Sequence, residues 1–134
     1  LTWEEASGWR EQAKEYFEQY GITTLNPLDG KEDLRSLSGL DRQKQFLPQE
    51  LILRDLRDID NSDVVLVELA WFDNTYIGTL MEIFYAWEHR KPVIAWTGVN
   101  YLHERSWLPG LITKSYSSLD DALDYIVNYW GVGI

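Results

Sequence analysis

The chain has 134 residues, 45% hydrophobic and 14% aromatic, with a formal net charge of −10, which suits a single domain over residues 1–134 with one real core. Its acidity argues against a general affinity for nucleic acid polymers or anionic membranes, leaving room only for a local basic patch. With no cysteine, disulfides and thiolate metal sites are excluded. The apolar runs are strand-sized rather than membrane-spanning, and no signal peptide is visible, so a soluble cytoplasmic protein is expected.

Leu1 stands where translation would place Met, and Thr2 already reads as a helix cap, so residues upstream of this chain are expected. From Thr2 to Tyr20, Trp3, Ala6, Trp9, Ala13, Tyr16, Phe17 and Tyr20 recur at three and four residues and form one apolar stripe. That periodicity predicts a helix, with Gly21 placed to end it. ITTLN, residues 22–26, is β-branched and stopped by Pro27, and is expected to be a strand entering a crevice loop. Residues 28–47 carry many charges and little period. Lys31, Arg35, Arg42 and Lys44 in that stretch either meet an anionic group or belong to a solvated loop.

Pro48 suits the first turn of a second helix, with Leu51, Ile52, Leu56 and Ile59 inward. Asp58 lies four residues from Arg54 and has an ordinary ion-pair explanation, whereas Asp55 sits beside Ile52 and Leu56 at the apolar edge. VVLVEL, residues 64–69, reads as a parallel strand covered on both faces, and PVIAWT, residues 92–97, repeats the pattern. Between them lies WFDNTYIGTLMEIFYAWEHR, a polar loop followed by a helix. A second long loop, residues 98–110, precedes a short strand expected at Leu111 to Thr113 and a last helix from Ser118 to about Trp130. This alternation predicts an α/β domain with a parallel sheet and right-handed crossovers.

In such a sheet, ligands gather beyond the carboxyl ends of the strands, where the next helix begins. Glu82 falls there and is the candidate for chemistry. Thr79 to Glu82 nevertheless has the T-x-x-E spacing of a capping box, as does Thr2 to Glu5, with Ser118 to Asp121 a close variant. From spacing alone, Glu82 is either a reactive carboxylate or a helix cap. Trp71, Phe72, Trp96 and Trp107, at strand ends or in loops, are candidates to stack on a ligand, whereas the helical aromatics are explained first by packing. His89 sits at a helix C-terminus, where the helix dipole explains it, His103 lies in a loop with no partner at metal spacing, and no metal is expected.

The order of LTWEEASGWR, TLNPLDG, RDLRDIDNSDVVLVEL and GTLMEIFYAWEHRKPVIAWT resembles the nucleoside 2-deoxyribosyltransferase family and its nucleotide N-glycosidase relatives over nearly the whole chain. The resemblance implies a flavodoxin-like three-layer α/β sandwich whose first family strand is missing from this chain. It implies Glu82 as nucleophile and Asp55 as the acid facing the leaving base, with no cofactor. The small-molecule substrate would be a nucleoside or nucleotide, and the protein a homo-oligomer. Gly78, Trp71 and the loop residues Asp73, Asn74 and Tyr76 would line the substrate. Ser106 is the nearest match to a residue that a neighbouring subunit offers the sugar. The sequence departs from the transferases at their D-x-G-T motif, where Tyr76 and Ile77 stand instead. Asp73 or Asn74 would have to supply the polar contact from a shifted loop, or both are ordinary turn residues. That departure keeps hydrolysis of a 2′-deoxynucleoside 5′-monophosphate, or silent nucleotide binding, beside base exchange.

Overall fold

The computed structural model describes residues 2–28 and 48–131. The charged stretch with Lys31, Arg35, Arg42 and Lys44 lies outside the described residues. Helix α1 spans Trp3–Glu18 behind a complete capping box: the Glu5 amide donates to Thr2 Oγ1 (3.1 Å) and the Thr2 amide to Glu5 Oε1 (3.3 Å). Gly21, at φ 70°, turns the chain after it, and the Ile22 amide returns to the Phe17 carbonyl (3.1 Å). Residues 22–26 then run without ladder pairing, so the strand expected at ITTLN does not form. β-branching favours extended backbone there, but a strand exists only through a hydrogen-bonded neighbour, and these residues have none among the described ones.

Helix α2 spans Pro48–Asp60, strand β1 Val65–Glu68, helix α3 Ile77–Glu88 and strand β2 Val93–Trp96. A 3-10 turn at Leu102–Glu104 and a one-turn helix α4, Leu108–Leu111, lead to strand β3, Lys114–Tyr116. Helix α5, Leu119–Tyr125, follows its Ser118 cap and continues as a π-helical turn, Ile126–Trp130. The last strand thus begins three residues later than the expected Leu111 to Thr113. Leu108 is buried, and its carbonyl accepts from the Ile112 amide (3.0 Å), drawing Leu111 into a helical turn.

The three strands form one parallel sheet in the order β1-β2-β3, with Val65 opposite Val93, Glu68 opposite Trp96, and Trp96 opposite Tyr116. Helices flank both faces. Val65, Val67, Leu69, Val93 and Ala95 pack with Ile59 of α2, Ile83 and Ala86 of α3, and Leu108. Leu66, Ile94 and Trp96 face the other way, against Ala13 and Phe17 of α1 and Leu119, Ala122 and Leu123 of α5. This is the two-residue alternation of a strand buried on both sides. Leu69, Ile83, Val93, Ile94 and Leu123 are fully buried, each worth roughly 1.5–3 kcal/mol relative to exposure. Among the described residues, no helix is long and apolar enough to cross a membrane.

Candidate functional site at the carboxyl ends of the strands

The site is built outward from the end of β1. Glu68 is the one charged residue in an otherwise apolar strand, and it is buried, at 6% exposure. Its Oε2 accepts from the Ala70 amide (2.6 Å) and from the Tyr76 hydroxyl. The same hydroxyl accepts from the Trp71 amide (2.8 Å). Burial is the largest influence on the Glu68 carboxyl and pushes its pKa above the ordinary value, against the opposing pull of Tyr76, the backbone amides and Arg10. Tyr76 is pushed up by burial and by Glu68 in turn, so it remains a protonated donor at physiological pH.

Tyr76 also decides where α3 begins. It is the N-cap, with φ 56° and ψ 26°, and makes no side-chain cap bond. Left-handed backbone is costly for a bulky residue, and here its ring is 3% exposed and its amide is held by Asn74 Oδ1 (2.9 Å). Helix α3 therefore starts at Ile77, and Thr79 lies inside it. The capping-box alternative for Glu82 is corrected by this start: Glu82 is the sixth helical residue rather than the third.

Asp55 sits on α2 four residues before the buried Ile59, so it faces inward from the helix that packs beside α3. The two helices are pinned together where the Tyr85 hydroxyl donates to Asp60 Oδ1 (2.8 Å) and Lys91 Nζ to the Asp60 carbonyl (3.2 Å). Gly78 lies one helical turn before Glu82 on the same face, and a methyl group built on it would meet no atom within 4 Å.

Two further groups join from α1. Arg10 lies on the inward stripe of Ala6, Ala13 and Phe17, and its Nη1 donates to the Ala6 carbonyl. The guanidinium carbon sits 4.6 Å from the Trp9 ring centroid. Burial lowers the Arg10 pKa, and Glu68, Glu82 and Asp55, in that order, oppose the shift. Among the described residues, no group of three or more His, Cys, Asp or Glu side chains is placed to hold a metal ion.

An aromatic wall flanks this cluster. Trp9 meets Trp96 edge-on at 6.0 Å, and Trp96 meets Trp71 at 5.6 Å. The buried indole N–H groups of Trp9 and Trp96 have no hydrogen-bond partner among the described residues.

The remaining expected site residues divide plainly. Trp71 is in the wall, and Tyr76 is buried under the loop rather than open to a ligand. Asn74 uses its Oδ1 in the turn, whereas Asp73 is exposed beside it. Ser106 lies on the exposed loop after β2 at φ 51°. Phe72 and Trp107, 71% and 75% exposed, are too open to belong to the wall.

Sequence reasoning missed Arg10, Glu68 and Trp9. The signals were a charge inside VVLVEL and an arginine at an inward helical position.

A family model described as nucleoside 2-deoxyribosyltransferase matches residues 3–122, a span that contains Arg10, Asp55, Glu68, Tyr76 and Glu82. Searches of the curated proteins and of the solved structures find no match. The match covers most of the chain, including both carboxylates that the sequence singles out, and the chain belongs to the nucleoside 2-deoxyribosyltransferase family.

Proposed function

We propose that this protein exchanges the base of a 2′-deoxynucleoside through a covalent deoxyribosyl ester on Glu82. An oxygen of the Glu82 carboxylate attacks C1′ as the C1′–N bond breaks through an oxocarbenium-like transition state. The bonding pair leaves with the base, and the Asp55 carboxyl delivers a proton to it. A nitrogen of the incoming base then attacks C1′, Glu82 departs as carboxylate, and the proton released by that base returns to Asp55.

The observation that carries this reading is the position of Glu82, inside α3 rather than at its cap, on the helix that follows the carboxyl end of β1. The bare helix face at Gly78 and the tryptophan wall add support, since a planar base suits both. Within the family reading, the substrate is a nucleoside or nucleotide and the partner is a second copy of the chain.

One observation favours water as the acceptor instead. Where the transferases carry an aspartate before G-T, this chain has Tyr76, and its hydroxyl is committed to Glu68 and the Trp71 amide. The second reading is therefore a 2′-deoxynucleoside 5′-monophosphate N-glycosidase.

Chromatography of the protein with deoxyinosine or a deoxynucleoside monophosphate, with and without adenine, separates the two. Exchanged nucleoside formed only with adenine is expected, with a loss of roughly 10³-fold or more in Glu82→Ala. Free base formed regardless of adenine would select the hydrolase. Binding without Glu82-dependent turnover would leave a silent nucleotide-binding domain.

A further inference from the structure

Helix α3 is apolar on the side that the fold leaves open. Ile83 and Ala86 are buried toward the sheet, and at about 100° per residue Ile77, Met81 and Phe84 project from the opposite side. Ile77 and Met81 are 63% and 68% exposed, and with Leu80 and Phe84 they line a shallow groove. Residues 77 and 81 form one row along the helix and residues 80 and 84 the next, which is the form into which a ridge of a facing helix packs. A surface helix ordinarily carries polar residues on this side, and a helix apolar all round is one that is covered.

The patch continues onto α2. Helices α2 and α3 each lead into the start of a parallel strand through a short turn, so they run side by side in the same direction. The Tyr85–Asp60 hydrogen bond sets residues 25 positions apart abreast. Ile52 therefore stands level with Ile77, and it is exposed although it shares the inward stripe of Leu56 and Ile59. Leu53 is exposed beside it. Ile77, Met81, Phe84 and the half-exposed Trp87 leave on the order of 500 Å² of side chain open, the scale of the largest patch on an ordinary monomer. With Ile52 and Leu53 the area approaches the roughly 800 Å² that each partner brings to a stable interface.

The charges at the two ends of α3 say what covers it. Asp73 is exposed in the loop before the helix, and Arg90 is exposed just after it. Two copies of α3 laid antiparallel, about a two-fold axis between Met81 and Phe84, bring Asp73 of each toward Arg90 of the other. Glu88, on the same exposed side as Ile77, then falls at the start of the other copy's α3, where Tyr76 gives no side-chain cap bond. The face is thus complementary to itself, as a two-fold interface requires. We propose that the outer face of α3, extended by Ile52 and Leu53, docks a second copy of this chain in that antiparallel arrangement. The inference adds a partner surface to the functional reading and rests on this face alone, not on the chemistry assigned to Glu82.

The test is sedimentation equilibrium of the full chain over a range of concentrations, for the wild type, Met81→Glu, Ile77→Glu, and Tyr129→Glu as an exposed control on the other side of the sheet. The wild type and Tyr129→Glu are expected at twice the mass of one chain. Met81→Glu and Ile77→Glu are expected to dissociate with a Kd raised about 100-fold or more, since each buries an unpaired charge in the interface. Ile77→Glu places an acid in the first turn of α3, which favours the isolated helix, so its dissociation is not a failure to fold. Asp73→Arg and Arg90→Asp should each weaken the dimer, and the two together should restore it.

A monomeric wild type would give the face to a different chain and overturns the inference, as does any assembly that survives both Met81→Glu and Ile77→Glu. A double charge reversal that restores nothing overturns the antiparallel arrangement. Sedimentation needs no substrate, so the two readings fail separately. Base exchange by a monomer sinks the docking face alone, and a dimer without Glu82-dependent turnover sinks the nucleophile alone.

Discussion

Thr2-x-x-Glu5 and Thr79-x-x-Glu82 are the same four-residue pattern with opposite outcomes. At α1 the pattern closes into a reciprocal cap, and Glu5 spends its carboxylate on the Thr2 amide. At α3 the helix has begun before Thr79 is reached, because Tyr76 is pinned in left-handed backbone by Asn74, Glu68 and the Trp71 amide. A capping box needs its threonine outside the helix. Moving the start by a few residues therefore takes Glu82 out of the N3 position that Glu5 holds, and the difference lies in the preceding loop rather than in the motif.

The largest effect that sharpens this comparison is on turnover. Glu82→Ala is expected to remove base exchange, whereas Glu5→Ala should lower the melting temperature slightly and leave kcat where it was. Equal losses of kcat in both variants would return Glu82 to a structural role.

Next in size is the pin itself. Tyr76→Phe removes a donor from the buried Glu68 and an acceptor from the Trp71 amide, a loss expected to cost about 1–3 kcal/mol by chemical denaturation. The same variant should depress exchange, because the start of α3 and hence the aim of Glu82 depend on that hydroxyl. Stability unchanged within about 0.5 kcal/mol would mean the loop is held by packing alone.

Glu68 makes a prediction of opposite sign. Its carboxyl binds a proton more readily in the folded chain than in the unfolded one, where the ordinary value is 4.5. Stability is therefore lost as pH rises from that value through the raised folded one, and the loss is complete above it. Glu68→Gln retains an oxygen able to accept from Tyr76 and Ala70 while removing the ionisation. Its melting temperature should match the wild type at low pH and exceed it increasingly through this window, while exchange falls. A gap that does not grow with pH would show that burial of the charge is not what the wild type bears there. Stability given up at a site that needs the group is the usual direction of such a trade.

The fold is legible in the sequence wherever periodicity alone decides it. The stripe on α1, the apolar runs of β1 and β2 and the cap at Ser118 all correspond to elements of the structure, and both strand pairings are parallel, as the alternation implies. ITTLN does not become a strand because strand propensity says nothing about whether a neighbour is present to pair with. The last strand is shifted because the turn closed on the buried Leu108 takes Leu111 into a helix, and the extended backbone that follows joins the ladder only at Lys114. At the site, Glu82 and Asp55 can be found from spacing and resemblance. Arg10 cannot, because it lies on a different helix, reached only once Glu68 and Trp96 are known to be ladder partners facing α1. Tyr76 reads as a loop residue at a substrate position, and its burial follows from a hydrogen bond to a strand residue eight positions earlier.

The smallest expected effect is also the most direct test of the contrast between the two threonine motifs. Thr2→Ala deletes the Oγ1 that accepts the Glu5 amide and should cost about 1 kcal/mol. Thr79→Ala deletes a hydroxyl already inside α3, at a position where alanine is the better helix former, so its effect should lie within about 0.5 kcal/mol of zero. Measured by denaturant midpoints in the same buffer, the two substitutions differ only in where each threonine stands relative to its helix start. If Thr79→Ala were to cost as much as Thr2→Ala, α3 would have to begin at Leu80, with Thr79 as its cap. Glu82 would then be an N3 residue with its carboxylate turned back on the backbone, and the Tyr76 pin that separates the two motifs would have no role.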